Sequence, residues 1–171
     1  GVGTLALIVS NGTQTVTGTN TFTGGLSLIG GTLIVNDISD TGVSGIGNSG
    51  KLTFGGGTLR YDGATQTATA REITNSANGR YNFDITNASA SLLLSGKIGS
   101  STSTGGLTKL GAGTLIISNT TVTSLQLNPG LTVRGGTLLL AAGQINTQSP
   151  ANNNDYIAQS AGDVATMTLA G

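Results

Sequence analysis

The 171-residue chain draws on few residue types, with Gly 29, Thr 28, Ser 16 and Asn 14 filling 87 positions. Seven cations balance seven anions for a net charge of zero, and both His and Cys are absent. These counts exclude Zn, haem and Fe–S sites of the usual ligand sets, His-dependent nucleophiles and a basic stripe for phosphates, so no cofactor, metal site or nucleic-acid partner is expected.

The chain opens on Gly1-Val2-Gly3-Thr4-Leu5 without an initiator Met, and is therefore expected to be part of a longer protein. Leu5 to Val9 is one of the longest apolar runs in the chain. After it, Thr13, Thr15, Thr17, Thr19, Thr21 and Thr23 alternate along the chain, which places six hydroxyls on one face of an extended stretch. From Leu26 to Val35 two short apolar runs flank Gly30-Gly31, a corner for which glycine supplies the positive φ. The same unit returns as Leu52-Thr53 with Gly57-Thr58-Leu59. The segment 64–99 is less regular, yet Phe83-Asp84-Ile85 and Ser91-Leu92-Leu93-Leu94 are strand-like. The unit returns at Leu107 with Gly113-Thr114-Leu115, and again at Leu131 with Gly136-Thr137-Leu138. Repeats are predicted over 1–140 and an irregular loop or capping segment over 141–163, where Pro150 and Asn152-Asn153-Asn154-Asp155 lie. A further strand of the same domain begins in 164–171.

Gly-Thr-Leu starts at Gly3, Gly31, Gly57, Gly113 and Gly136, so its intervals are 28, 26, 56 and 23, the third reading as two periods with a degenerate copy. Such a period suits one coil of a parallel β-solenoid. A single coil cannot bury its own apolar edge, whereas stacked coils give every leucine a neighbour above and below. The 40 branched aliphatics suffice for a narrow core, and no apolar run approaches the ~18 residues of a membrane span. An all-β solenoid of about seven coils and about 30 Å follows, with the repeated leucines forming one continuous spine and no membrane insertion.

Residues 105–118, Gly-Gly-Leu-Thr-Lys-Leu-Gly-Ala-Gly-Thr-Leu-Ile-Ile-Ser, resemble the passenger-associated transport repeat of bacterial autotransporters. Asn20-Thr21-Phe22-Thr23-Gly24-Gly25 is similar to the stretch that follows this repeat in the family, and the likeness extends over roughly residues 1–140. The resemblance implies a right-handed parallel β-helix that is exported and displayed on, or released from, a bacterial surface. It implies a structural rather than catalytic role, as a rigid stalk, adhesin or fibre-forming module.

Asp37 and Asp62 follow Gly-Thr-Leu at similar offsets and could stack in adjacent coils, with Arg60 nearby, as the acid pair of a carbohydrate-active enzyme. The alternative is that each opens a turn. The Thr13–Thr23 face would suit an ice- or polysaccharide-binding solenoid if the array were repeated in neighbouring coils. Thr41-Gly42-Val43-Ser44 does not repeat it, and Thr65, Thr67 and Thr69 restore only a fragment. Asn152-Asn153-Asn154-Asp155 lacks the spacing of an EF-hand or calcium β-roll. Lys109 is expected to cap a coil corner. Partners are expected to be further copies, through self-association at exposed terminal coils, and a host-surface or polysaccharide ligand.

Overall fold

Aliphatic and β-branched residues alternate with Thr, Ser and Asn in short runs, and glycines punctuate them. The chain accordingly folds into brief strands joined at tight corners. A computed structural model describes residues 4–40, 44–76, 79–99, 105–118, 125–126, 130–140, 145–146, 156–157 and 162–169.

Every strand pairing is parallel and joins one coil to the next. The first wall comprises β1 (Leu7–Val9), β3 (Leu26–Leu28), β5 (Leu52–Phe54) and β8 (Ile73–Asn75), which a bridge extends from Ile73 to Ile98. The second runs through β2 (Thr13–Val16), β4 (Thr32–Val35), β6 (Thr58–Tyr61), β9 (Tyr81–Ile85), β11 (Leu107–Leu110), β14 (Leu131–Val133) and β17 (Tyr156–Ile157). The third holds β7 (Gln66–Thr69), β10 (Ser91–Leu94), β12 (Thr114–Ile117), β15 (Gly135–Leu140) and β18 (Val164–Leu169). A short ladder joins β13 (Leu125–Gln126) to β16 (Ile145–Asn146). Within 141–163, then, β16 and β17 continue the stacking. No helix occurs among the described residues, so none is long and apolar enough to cross a membrane.

The fold is thus an all-β parallel solenoid. Among the described residues its coil count differs with the wall: the second has seven strands, the third five and the first four. The expected seven coils are therefore not complete among these residues: seven strands stack along the second wall, and fewer along the other two. Residues 17–25, 36–40 and 44–50 form no strand where the first two rungs of the third wall would stand.

Alternate residues of each strand face inward and stack in register. In the second wall the inner column reads Leu33, Leu59, Phe83, Lys109 and Val133, with the exposed Gln14 and Ile157 in register at its two ends. In the first it reads Leu7, Leu26, Leu52, Ile73 and Ile98. In the third it reads Thr67, Leu92, Leu115, Leu138 and Met167. Leu33, Leu52, Leu59, Phe83, Leu92, Leu115 and Leu138 are fully enclosed. Phe54 fills the mid-section, its ring centroid 5.8 Å from Tyr81 and 5.0 Å from Phe83.

The repeated leucines do not form one spine. Leu33 and Leu59 belong to the second wall, Leu115 and Leu138 to the third, and Leu5 is 68% exposed outside any strand. Likewise Leu26 and Leu52 pair in the first wall, whereas Leu107 and Leu131 pair in the second. The whole unit has moved on by one wall between Leu59 and Leu107. Two rungs above Thr58 stands Thr108, and Thr114 lies six residues beyond that, across a corner. The long interval in the repeat is therefore two rungs plus one wall.

Candidate functional site

Three polar constellations stand out against this apolar interior. The first caps the edge strand of the third wall. Among the described residues β7 has no strand beneath it, and its inward residues are threonines rather than leucines. Thr67 Oγ1 donates to Asp37 Oδ1 at 3.0 Å and accepts from the Ile38 amide at 3.2 Å. Thr69 Oγ1 donates to Asp40 Oδ1 at 2.5 Å, and the Ala70 amide donates to Asp40 Oδ2 at 2.5 Å. Asp40 Oδ2 thus takes an edge amide that a backbone ladder would otherwise pair, and Asp37 and Asp40 together bind the two inward hydroxyls, which blunts an open edge. Ile38 and Ile46, both fully buried, close the apolar interior beside them.

Arg71, 7% exposed, locks this cap. Its Nη1 donates to Ile46 O at 2.9 Å, and its Nη2 donates to the carbonyls of Ser39, at 3.3 Å, and Gly47. Nε stands 3.1 Å from Asp40 Oδ1, an ion-pair contact without the alignment of a hydrogen bond. Burial pulls the guanidinium pKa below its ordinary value and outweighs the opposing pull of Asp40. A planar fork with five donors suits a nest of carbonyls better than an ammonium would.

The second constellation lies on the outside of the second wall. Asp62 Oδ1 accepts from Arg60 Nε at 2.8 Å and from Thr86 Oγ1 at 2.8 Å. Partial burial pushes the Asp62 carboxyl up, but these bonds together hold it below the usual range. Arg60 pairs in register with Asp84, whose carboxyl is raised chiefly by burial. Among the described residues Asp37 and Asp62 share no hydrogen-bond partner. The Asp62 amide donates to Val35 O at 2.9 Å, and Asp37 lies two residues beyond that carbonyl, so the acids do not stack. Asp37 also accepts from the Ser39 amide at 2.6 Å, the Asx geometry of a turn.

The third is Lys109, whose side chain is fully buried. Its Nζ donates to Leu110 O at 2.7 Å, Gly111 O at 2.9 Å and Gly135 O at 3.0 Å. All three ammonium donors are spent on corner carbonyls of two successive coils. The expected corner cap is real, but it works from inside the tube. Burial lowers the Lys109 pKa to about 8 against the opposing pull of Asp84.

The Thr13–Thr23 array is not one face. β2 ends at Val16, and Gly18 takes a φ of 80°, so only Thr13 and Thr15 share a strand surface. The outward ladder runs instead across the coils, through the hydroxyls of Thr13, Thr32, Thr58, Thr108 and Thr132 and the carboxamide of Asn82. Its members are 19 to 26 residues apart, so no local pattern along the chain displays it. Arg80 secures its upper part, Nε donating to Thr108 Oγ1 at 2.9 Å and Nη2 to Thr132 Oγ1 at 3.2 Å. The neighbouring column, Thr15, Ile34, Arg60 and Asp84, is mixed, so the paired threonine columns of an ice-binding face are missing. Asn152-Asn153-Asn154-Asp155 lies outside the described residues. Among the described residues no group of three or more acidic side chains could hold a metal ion.

The geometry defines a parallel β-solenoid whose polar clusters are structural in their bonding. A 108-residue stretch, 60% of this chain, is 43% identical to the protein named "Adhesin BmaC autotransporter" of Brucella suis biovar 1 (strain 1330). The chain matches about 3% of that relative's length. The likeness accords with the resemblance to passenger repeats carried by residues 105–118. No protein-family model and no solved structure matches the chain.

Proposed function

We propose that this chain is a non-enzymatic segment of an exported bacterial surface adhesin, in which it serves as a rigid stalk. What supports the reading most directly is the seven-stranded wall, in which each coil is bonded to the next over a continuous aliphatic core, together with a relative named as an autotransporter adhesin. Stiffness follows from the pairing of backbone groups between coils. Seven rungs at about 4.8 Å give a rod of about 30 Å. Acids engaged in capping and turn bonds favour scaffolding over hydrolysis. On this reading the segment works outside the cell, at the surface or released from it, and its polar walls are available to a host-surface or polysaccharide ligand.

The test is small-angle scattering on the chain and on tandem fusions of it. A maximum dimension that grows by about 30 Å per added copy supports a stalk. Dimensions scaling as a compact sphere, or polysaccharide cleavage that Asp37→Asn and Asp62→Asn abolish, would overturn it.

A further inference from the structure

The chain holds the dipeptide Asn-Gly twice, at Asn11-Gly12 and Asn78-Gly79, and the fold gives the two opposite surroundings. Asn11 and Gly12 are both exposed, at the corner between β1 and β2. The Gly12 amide turns back onto the side chain of the residue before it, donating to Asn11 Oδ1 at 2.7 Å. Cγ lies one carbonyl bond, about 1.2 Å, from that oxygen, so the amide nitrogen stands close to the carbon it would attack. Gly12 has no side chain to obstruct the approach, and a Cβ built on it would meet nothing within 4 Å. At the second dipeptide Asn78 lies outside the described residues, but the nitrogen that would attack belongs to Gly79, which is buried and donates to Ser76 O at 2.8 Å.

Other asparagines are held away from such a contact. Asn87 Oδ1 accepts from the Ser89 amide at 3.0 Å, two residues on rather than one. Asn20 Nδ2 donates to Gly45 O at 3.1 Å, and Asn82 Nδ2 to Gly56 O at 3.1 Å. None of these three is followed by glycine.

We infer that Asn11-Gly12 is a self-modification site, at which the folded chain closes a succinimide and opens it with water to isoaspartate and aspartate. The Gly12 N–H gives its proton to hydroxide, the nitrogen bonds to Asn11 Cγ, and the Cγ–Nδ2 bond breaks, Nδ2 taking a proton from water and leaving as ammonia. Water then adds to one of the two ring carbonyls. Breaking the bond from Cγ to the Gly12 nitrogen leaves an aspartate. Breaking the bond from the Asn11 carbonyl carbon to that nitrogen leaves a main chain that runs through Cγ and is one methylene longer. One water is consumed and one ammonia released, with no oxidation or reduction. The inference stands apart from the stalk reading.

The longer product matters because this peptide is a contact between coils. Gly12 O accepts from the Thr32 amide at 2.8 Å, and Gly31 sits so close that a Cβ on it would lie 2.3 Å from Gly12 O and 2.7 Å from the Asn11 carbonyl carbon. A methylene inserted here displaces that carbonyl and loosens β1 and β2 from β3 and β4. The same corner of the next two coils carries Gly30-Gly31 and Gly56-Gly57, which have no carboxamide to react.

Storage of the folded chain in mildly alkaline buffer, followed by fragment mass spectrometry of its peptides, tests the site. Asn11 should gain the mass of an NH2-to-OH exchange several-fold faster than Asn78, in proportion to hydroxide and with isoaspartate the larger product. Unfolding in guanidinium chloride should bring the two rates together. Asn11→Gln keeps the carboxamide but must close a larger ring, and should remove the signal with the circular dichroism spectrum unchanged. In the isoaspartyl chain, hydrogen exchange should speed up at the Thr32 amide before it does in β5 and β6. Equal rates at Asn11 and Asn78 in the folded chain, no gain at Asn11, or aspartate without isoaspartate would overturn the site. An unchanged Thr32 amide in the isoaspartyl chain would overturn the loosening of the first coil.

Discussion

Lys109 stands directly above Phe83 and below Val133 in the innermost column of the second wall, a lysine stacked between an aromatic ring and a valine. Its methylene stem continues the apolar column, and its ammonium bends to the corner, where carbonyls of two coils accept it. One side chain therefore fills the core and ties a corner to the one above.

This buried amine makes stability depend on alkaline pH. The Lys109 pKa falls to about 8 in the fold, below its unfolded value of about 10.4. Between those pH values the unfolded chain binds the extra proton, so stability should rise with pH across that window, by up to about 3 kcal/mol. Tyr81 acts in the opposite sense: burial raises its hydroxyl to about 12, so the folded chain keeps a proton that the unfolded chain loses above pH 10. Urea midpoints measured from pH 7 to pH 11.5 should climb from about pH 8 and turn down above about pH 10. Lys109→Met should abolish the climb and leave the fall.

Arg71 holds the cap of β7 through three carbonyls and Asp40. Arg71→Ala strands those acceptors and should cost about 3 to 5 kcal/mol. Hydrogen exchange should show the loss first at Ile38 and Ile46, before the upper coils open. Arg71→Lys should recover less than half of it, because an ammonium cannot span the carbonyl nest. Uniform loss of protection along the rod would contradict this localised role.

Phe83→Ala removes the ring packed against Phe54 at the centre of the tube. A cost of about 3 to 5 kcal/mol is expected from denaturant unfolding, larger than for Ile85→Val at about 1 kcal/mol.

Gly12 and Gly31 occupy successive corners with φ of 70° and 68°. A Cβ on Gly12 meets nothing within 4 Å, whereas on Gly31 it would lie 2.3 Å from Gly12 O. Gly12→Ala should cost about 1 to 2 kcal/mol for the left-handed backbone alone. Gly31→Ala should cost clearly more and disturb the Thr32 amide bond to Gly12 O. Equal midpoints for the two variants would show that coil-to-coil contact is not what selects glycine there.

Class, parallel stacking and repeat length were legible in the sequence, because Leu26 with Leu33 and Leu52 with Leu59 recur at the spacing of strand, corner, strand. The wall assignment was not. Gly-Thr-Leu encodes a local corner, and any of the three corners can use it. Only the strand lengths of the less regular segment, 64–99, reveal that the unit advances by one wall. The caps were hidden for a related reason. Asp37 bonds to Thr67 and Asp40 to Thr69, partners 30 and 29 residues away, and the side chains complete a ladder that exists only once the coils are stacked. Lys109 was recognisable through its motif, yet nothing in its immediate neighbours reveals that an odd-numbered lysine falls on the inner side of the strand.

The advance of the repeat by one wall also sets how the molecule presents itself. In the lower coils the threonines of Gly-Thr-Leu look out from the second wall, and in the upper coils from the third. A motif slightly out of step with its own turn would, over a long array, wind around the shaft like the stripe on a barber's pole. Any surface that the motif creates would then be offered in every compass direction, and a slender filament built this way could engage neighbours on all sides without having to rotate.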